Sequence, residues 1–361
     1  VKLITEFRDR ALSEKLLASL HREAAPSKVY KFMEVCGSHT MAVSRFGLRS
    51  LLPSNIELVS GPGCPVCVTP QWEIDAIFGI AARDDVTIVT FGDMIRVPGS
   101  NGESLQQLRS EGADIRIVFS PLDAIDIAEE SGKNTVFIGI GFETTAPASA
   151  ALAKTAKAKG LTNLFITPFC KTVPEVMDVL LKDDSLQIDG FLCPGHVSVV
   201  TGLDIYKPVA GSGIAAVVTG FEPLDILSSV LEMVRQCNSG SFEVKNFYTR
   251  AVKNEGNPKA QALLKEVFMK SDTDWRGLGR IPMSGLRFND DYSSIDALKK
   301  FDVKETGITD LKGCKCGDVL KGKMKPSACP LFDNGCTPQN PYGPCMVSSE
   351  GSCSAYYKYE R

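Results

Sequence analysis

From about residue 28 to about residue 235 the chain repeats one theme: a short β-rich run, a Gly/Pro/Thr turn, then apolar residues at helical spacing. The runs are "KVYKFMEV", "NIELVS", "DVTIVTF", "IRIVFS", "NTVFIGIG", "NLFITP", "IDGFLCP" and "IAAVVTG". Such alternation predicts parallel sheets covered by helices. A stretch of about 200 residues suits two smaller α/β units better than one. An internal echo supports the division, since "IGIGFETTAP" (138–147) and "VVTGFEPLD" (217–225) each end a strand with Gly-Phe-Glu. Ahead of the first run, residues 5–25 are helix-patterned and stop near Ala25-Pro26.

Beyond residue 237 strand-like runs thin out, and "NEGNPKAQALLKEVF" reads as a helix. From Cys314 onward Cys, Pro and Gly dominate, with six of the twelve cysteines between Cys314 and Cys353. A segment so poor in apolar periodicity needs a staple, and a bound metal centre is the obvious one. The expected fold is therefore α/β: two similar parallel-sheet domains around a cleft, plus a C-terminal Cys-rich iron–sulfur domain. The expected division is 1–130 (N-terminal helix and first α/β domain), 131–232 (second α/β domain) and 233–361 (a mostly helical or irregular C-terminal domain).

Composition narrows the class. The 361 residues are 43% hydrophobic and 23% charged, as in a globular protein with real cores. A net charge of −3 argues against a nucleic-acid binder. No apolar run reaches the roughly 20 residues of a membrane helix, and the charged N-terminal segment carries no signal-peptide pattern. These features predict a cytoplasmic protein with neither nucleic acid nor membrane as partner. In a reducing cytosol, twelve cysteines point to metal, cluster or redox chemistry before a disulfide framework.

The unusual residues fall where strands give way to loops, the usual ligand-binding edge of a parallel sheet. They are Cys36-Gly37-Ser38-His39, "GPGCPVC" with Cys64 and Cys67, Gly92-Asp93 through Arg96, Gly141-Phe142-Glu143, and Cys193-Pro194-Gly195-His196. Cys36 should sit at a helix start, where free amides favour thiolate. Cys64 and Cys67 read as a redox dithiol, half of a metal site, or a structural turn; the close spacing favours the first. His39 and His196 each follow a cysteine by three positions. Asp93 and Arg96 suggest a local charged turn, and Glu143 a helix cap. The six tail cysteines suit an iron–sulfur cluster or zinc, although their spacing is neither that of bacterial ferredoxins nor that of a zinc ribbon.

Together "MEVCGSHT", "GPGCPVCVTP", "FGDMIRVPGS", "GFETTAP", "CPGHVSVVTG" and "CTPQNPYGPCMVSSEGSCSAYY" resemble the HypD family of [NiFe]-hydrogenase maturation proteins, from about residue 30 to the C-terminus. The resemblance implies two α/β domains and a tail binding a [4Fe–4S] cluster. It implies a scaffold working with a HypC-type chaperone, on which iron gains two cyanides and one carbon monoxide, with cyanide from a HypE-type carrier. It makes Cys36 an iron-holding cysteine and Cys64/Cys67 the redox pair; on the residues' own chemistry, His39, His196, Asp93 and Glu143 would line the cleft as supporting groups or proton donors. Cys329, Cys336 and Cys353 become cluster ligands, joined by Cys314 or Cys316, while Cys345 is left spare. The competing expectations are an iron–sulfur-linked disulfide reductase acting on protein thiols, and a zinc-stapled binding protein.

Overall fold

The computed structural model describes residues 6–183, 185–307 and 311–361; the first five residues of the N-terminal segment lie outside it. All eight sequence runs become strands, but they divide between two parallel sheets in an interleaved way. The first sheet is ordered β11 (Val244–Asn246), β10 (Ala215–Thr219), β9 (Gly190–Pro194), β1 (Tyr30–Glu34), β2 (Ile56–Ser60). The second is ordered β4 (Asp114–Ile117), β3 (Val86–Thr90), β5 (Asn134–Phe137), β7 (Leu164–Ile166). A short parallel pair, β6 (Ile140–Gly141) with β8 (Phe169–Cys170), extends the C-terminal end of the second sheet.

The sequential division does not survive this topology. Residue 130 falls between β4 and β5, which flank β3 in one sheet, with Val86 opposite Asn134. Residue 232 falls inside the Pro223–Ser239 helix, whose Ile226, Val230, Met233 and Val234 are fully buried. The physical reason is that period and turn chemistry mark where a strand lies, whereas parallel pairing is a contact between segments remote in sequence. The first sheet is built from both ends of the region and the second from its middle.

Local signals were obeyed. The Arg10–Glu23 helix starts at Asp9, whose carboxylate accepts from Leu12 N at 2.9 Å, and packs on the Pro223–Ser239 helix. That second helix carries Pro at its start, a Glu222/Asp225 capping box and Gly240 at φ 67° past its end. The predicted helix in "NEGNPKAQALLKEVF" spans Pro258–Val267.

Two features were missed. The segment after it forms an antiparallel hairpin, β12 (Phe268–Trp275) with β13 (Gly279–Phe288). The tail is also no separate body. Cys316, Leu320, Cys345 and Val347 share one hydrophobic core with Val35, Val59, Ile88 and Val136 from the two sheets. No helix among the described residues is long and apolar enough to cross a membrane.

Candidate functional site

Cys36 lies two residues past the end of β1 and occupies the N-cap position of the Gly37–Arg45 helix in extended geometry. The neighbouring strand β2 ends at Ser60, the register partner of Glu34, and runs into Gly61-Pro62-Gly63-Cys64. Gly37 N donates to Gly63 O at 2.9 Å, tying the two loops together directly beside both cysteines. Cys64 and Cys67 form a disulfide with Cα atoms 5.2 Å apart, folded round the short Pro65–Val68 helix, and both are buried. Cys67 N also donates to Cys64 Sγ at 3.2 Å.

The expectation that helix amides would make Cys36 a ready thiolate is overturned. Its thiol is pushed up to about 12, first by burial and then by the Glu350 carboxylate. The His39 and Ser38 amides and the Ser38 hydroxyl pull the other way but lose. Glu350 comes from the tail, where Ser38 Oγ donates to its Oε1. The loops thus converge, but the tail lies over them: the Ser352–Tyr359 helix packs on the Gly37–Arg45 helix, and Cys36 is only 8% exposed.

His39 is fully buried, with Nε2 3.3 Å from Thr219 O and Nδ1 unpartnered. Burial pulls its basicity down to about 4, so the ring is neutral near pH 7. Phe221 joins it to His196: the phenyl ring stacks on both imidazoles, with centroids 4.7 and 4.1 Å away. Burial lowers His196 as well. Phe221 belongs to the Gly-Phe-Glu echo, and its counterpart Phe142 stacks instead on Trp275 at 5.7 Å. The repeated triplet marks equivalent strand ends of the two sheets, used differently. Glu222 pairs with Arg8, whereas Glu143 is buried, accepts from Val173 N at 2.9 Å and leaves Oε2 without a partner. Burial pushes Glu143 up to about 7.

Asp93 and Arg96 do not make a local turn pair. Asp93 accepts from Ser348 Oγ at 3.1 Å and Ser349 Oγ at 3.3 Å, and Arg96 donates to Pro338 O at 2.9 Å, so both fasten the tail. Cys170, Cys193 and Cys237 hydrogen-bond backbone carbonyls, as packing residues do.

The tail thiols converge. Burial raises the Cys353 thiol, and Cys314, Cys316, Cys336 and Cys329 all add to it by like charge. Cys314 interacts directly with Cys316, and Cys316 with Cys345. Cys345 is thus inside the group, and its Pro344–Val347 helix packs on the Pro65–Val68 helix. Among the described residues, no three His, Cys, Asp or Glu side chains close on a single metal-ion position. Soft thiols from several loops are nevertheless the donor set that an iron–sulfur centre takes.

Sequence reasoning passed over Glu350, Phe221 and Arg276. Only Phe221 carried a signal, the echo itself; Glu350 and Arg276 matter through contacts over long sequence separation.

Fold and site define an α/β protein whose strand-end loops carry one set of buried cysteines and whose tail, packed over them, carries a second. The chain belongs to the HypD family: the family described as "HypD: Hydrogenase formation hypA family" matches residues 11–360. Hydrogenase maturation factor HypD of Cupriavidus necator is 43% identical over 370 residues, covering 100% of this chain and 98% of that protein. The factor of the same name from Rhizobium leguminosarum bv. viciae is 45% identical over 379 residues, covering 100% and 96%. A putative hydrogenase expression/formation protein of Methanocaldococcus jannaschii is 44% identical over 355 residues, covering 98% of each.

Proposed function

We propose that this hydrogenase maturation factor is a cytoplasmic redox-active scaffold on which the Fe(CN)2CO unit of [NiFe]-hydrogenases is assembled. It works with a HypC-type chaperone and accepts cyanide from a HypE-type carrier. The observation that carries the reading is the junction of Cys36 with the Cys64–Cys67 pair through Gly37 N and Gly63 O, 2.9 Å apart.

Iron is the substrate, held by Cys36. Because burial keeps that thiol protonated, iron binding must displace the proton, and Glu350 is the carboxylate whose charge bears on Cys36. Freeing cyanide from a sulfur-bound carrier breaks an S–C bond and consumes two electrons, leaving a thiolate and CN⁻. The Cys64/Cys67 dithiol yields two electrons and two protons as it closes to the disulfide, so one closure serves one cyanide. A second cyanide needs two more electrons from an outside one-electron donor to reopen the disulfide. His39 and His196, kept neutral by burial and stacked on Phe221, would serve as hydrogen-bonding groups at these strand ends. Four of Cys314, Cys316, Cys329, Cys336 and Cys353 would hold a [4Fe–4S] cluster, which supplies one-electron transfer when bound.

The test is an infrared spectrum of the protein co-purified anaerobically with its small chaperone, comparing wild type with Cys36→Ala. Cyanide and carbonyl bands that vanish in the variant are expected. A folded, brown wild-type complex without such bands would move the assignment to a disulfide reductase acting on protein thiols.

A further inference from the structure

At the tip of the β12–β13 hairpin, Arg276 is only 1% exposed, one of the largest fully buried side chains of the protein. Its backbone N donates to Val68 O at 2.8 Å, and its Nε donates to Thr69 O at 2.8 Å. One terminal nitrogen, Nη2, donates to Gln71 Oε1 at 3.0 Å. All three contacts hold the stretch that leaves Cys67. On its other side, Gly277 at φ 74° sits against Gly317, next to Cys316. A methyl group at 277 would stand 3.2 Å from Gly317 N and closer still to its Cα, so only glycine allows this approach.

A buried guanidinium keeps its charge and needs an anion nearby. Arg280 and Arg287 on the same hairpin pair with Asp274 and Glu305. Among the described residues no carboxylate pairs with Arg276. Gly277 sets this hairpin tip against Gly317, beside Cys316, and the Arg276 charge favours ionisation of the Cys314, Cys316 and Cys345 thiols, which burial and their neighbours otherwise oppose.

We propose that Arg276 is a positioning residue that couples the Cys64–Cys67 turn to the tail cysteines, its guanidinium being the positive counter-charge of the thiolate set. This rests on the reading of the tail thiols as cluster ligands. Through Val68, Thr69 and Gln71 it holds the turn of the redox pair against the tail, and through its charge it favours the more negative, reduced state of the tail centre. Loss of the charge therefore lowers the potential of the tail centre, and loss of these bonds loosens the closed Cys64–Cys67 turn.

Wild type, Arg276→Lys and Arg276→Met are purified anaerobically, with circular dichroism and melting as folding controls. The Cys64–Cys67 equilibrium is read in glutathione buffers by differential alkylation and mass spectrometry. Iron, sulfide and the cluster midpoint are measured on the same samples. The expected result for Arg276→Met is a tenfold or larger shift of the thiol–disulfide equilibrium toward the dithiol, because the lost bonds hold the turn in its closed form, with a more negative cluster midpoint. Arg276→Lys, which keeps the charge, should retain most of the cluster midpoint. A folded Arg276→Met with both properties at wild-type values overturns the proposal. If wild type carries neither iron nor sulfide, the cluster reading fails, and the Cys64–Cys67 equilibrium alone decides: a shift in Arg276→Met upholds Arg276, and no shift rejects it. Should Arg276→Met not fold, Arg276→Gln replaces it with the same outcomes.

Discussion

Gly63 and Cys36 touch through their backbones. A methyl group at 63 would lie 2.6 Å from the Cys36 carbonyl carbon and nearer still to its nitrogen and Cα. Neither strand end can yield, because each is hydrogen-bonded in register. Gly63→Ala should therefore cost about 1–3 kcal/mol, as overpacking does. It should also pry Cys36 away from the Cys64 loop. Thermal melting reads the first effect and faster alkylation of Cys36 the second; a variant that melts with wild type and alkylates at the same rate contradicts this account.

Glu350 opposes ionisation of the Cys36 thiol, second only to burial. Glu350→Gln keeps a hydrogen-bonding partner for Ser38 and removes the charge. Alkylation of Cys36 by iodoacetamide at pH 8 should become severalfold faster, with no larger change because burial remains. An unchanged or slower rate would mean that the Glu350 charge has no hold on the thiol.

Glu143 gives a pH signature. In the folded chain it takes up its proton near 7, where its ordinary value is 4.5. Below pH 4.5 folded and unfolded chains are both protonated, and the group is neutral to stability. As pH rises toward 7 the unfolded chain ionises first, so stability falls across that window and levels off above it. Glu143→Gln still accepts from Val173 N and should match wild type at pH 4.5. At pH 8 it should be more stable by on the order of 2–3 kcal/mol. Urea unfolding at the two pH values checks this; equal gaps at both would show that Glu143 does not titrate on folding.

Lys171 and Glu73 form a buried ion pair, with both Glu73 oxygens 2.9 Å from Nζ. Lys171→Met strands a buried carboxylate and should cost about 3–5 kcal/mol. Adding Glu73→Leu removes the stranded group, so the double variant should recover much of that loss. Denaturant midpoints of the two variants decide it, and a double variant weaker than the single one would refute the argument.

Legibility in the sequence followed the range of the physics. Local period and turn chemistry located all eight runs and the break near Ala25-Pro26 behind the first helix. The hairpin escaped because β12 buries only Phe268 and its last three residues, so no sustained alternation marks it. Cysteine spacing singled out Cys36, Cys64 and Cys67, but not what surrounds them. The Cys36 thiol was misread because its helix start was legible while the covering Glu350, more than three hundred residues later, was not. The tail cysteines were legible as a group; that Cys345 lies within it depended on contacts with Cys316 and the Pro65–Val68 helix.

The interleaved sheets also set an order of events during synthesis. Strands β3, β4, β5 and β7 occupy one continuous stretch, so their sheet can close as soon as that stretch has left the ribosome. Strand β1 must wait for β9, whose Phe191 pairs with Met33, before its inner edge is covered. The loops bearing Cys36 and Cys64 therefore stay accessible until a segment made more than 280 residues later, with Glu350 and Cys353, shuts them in.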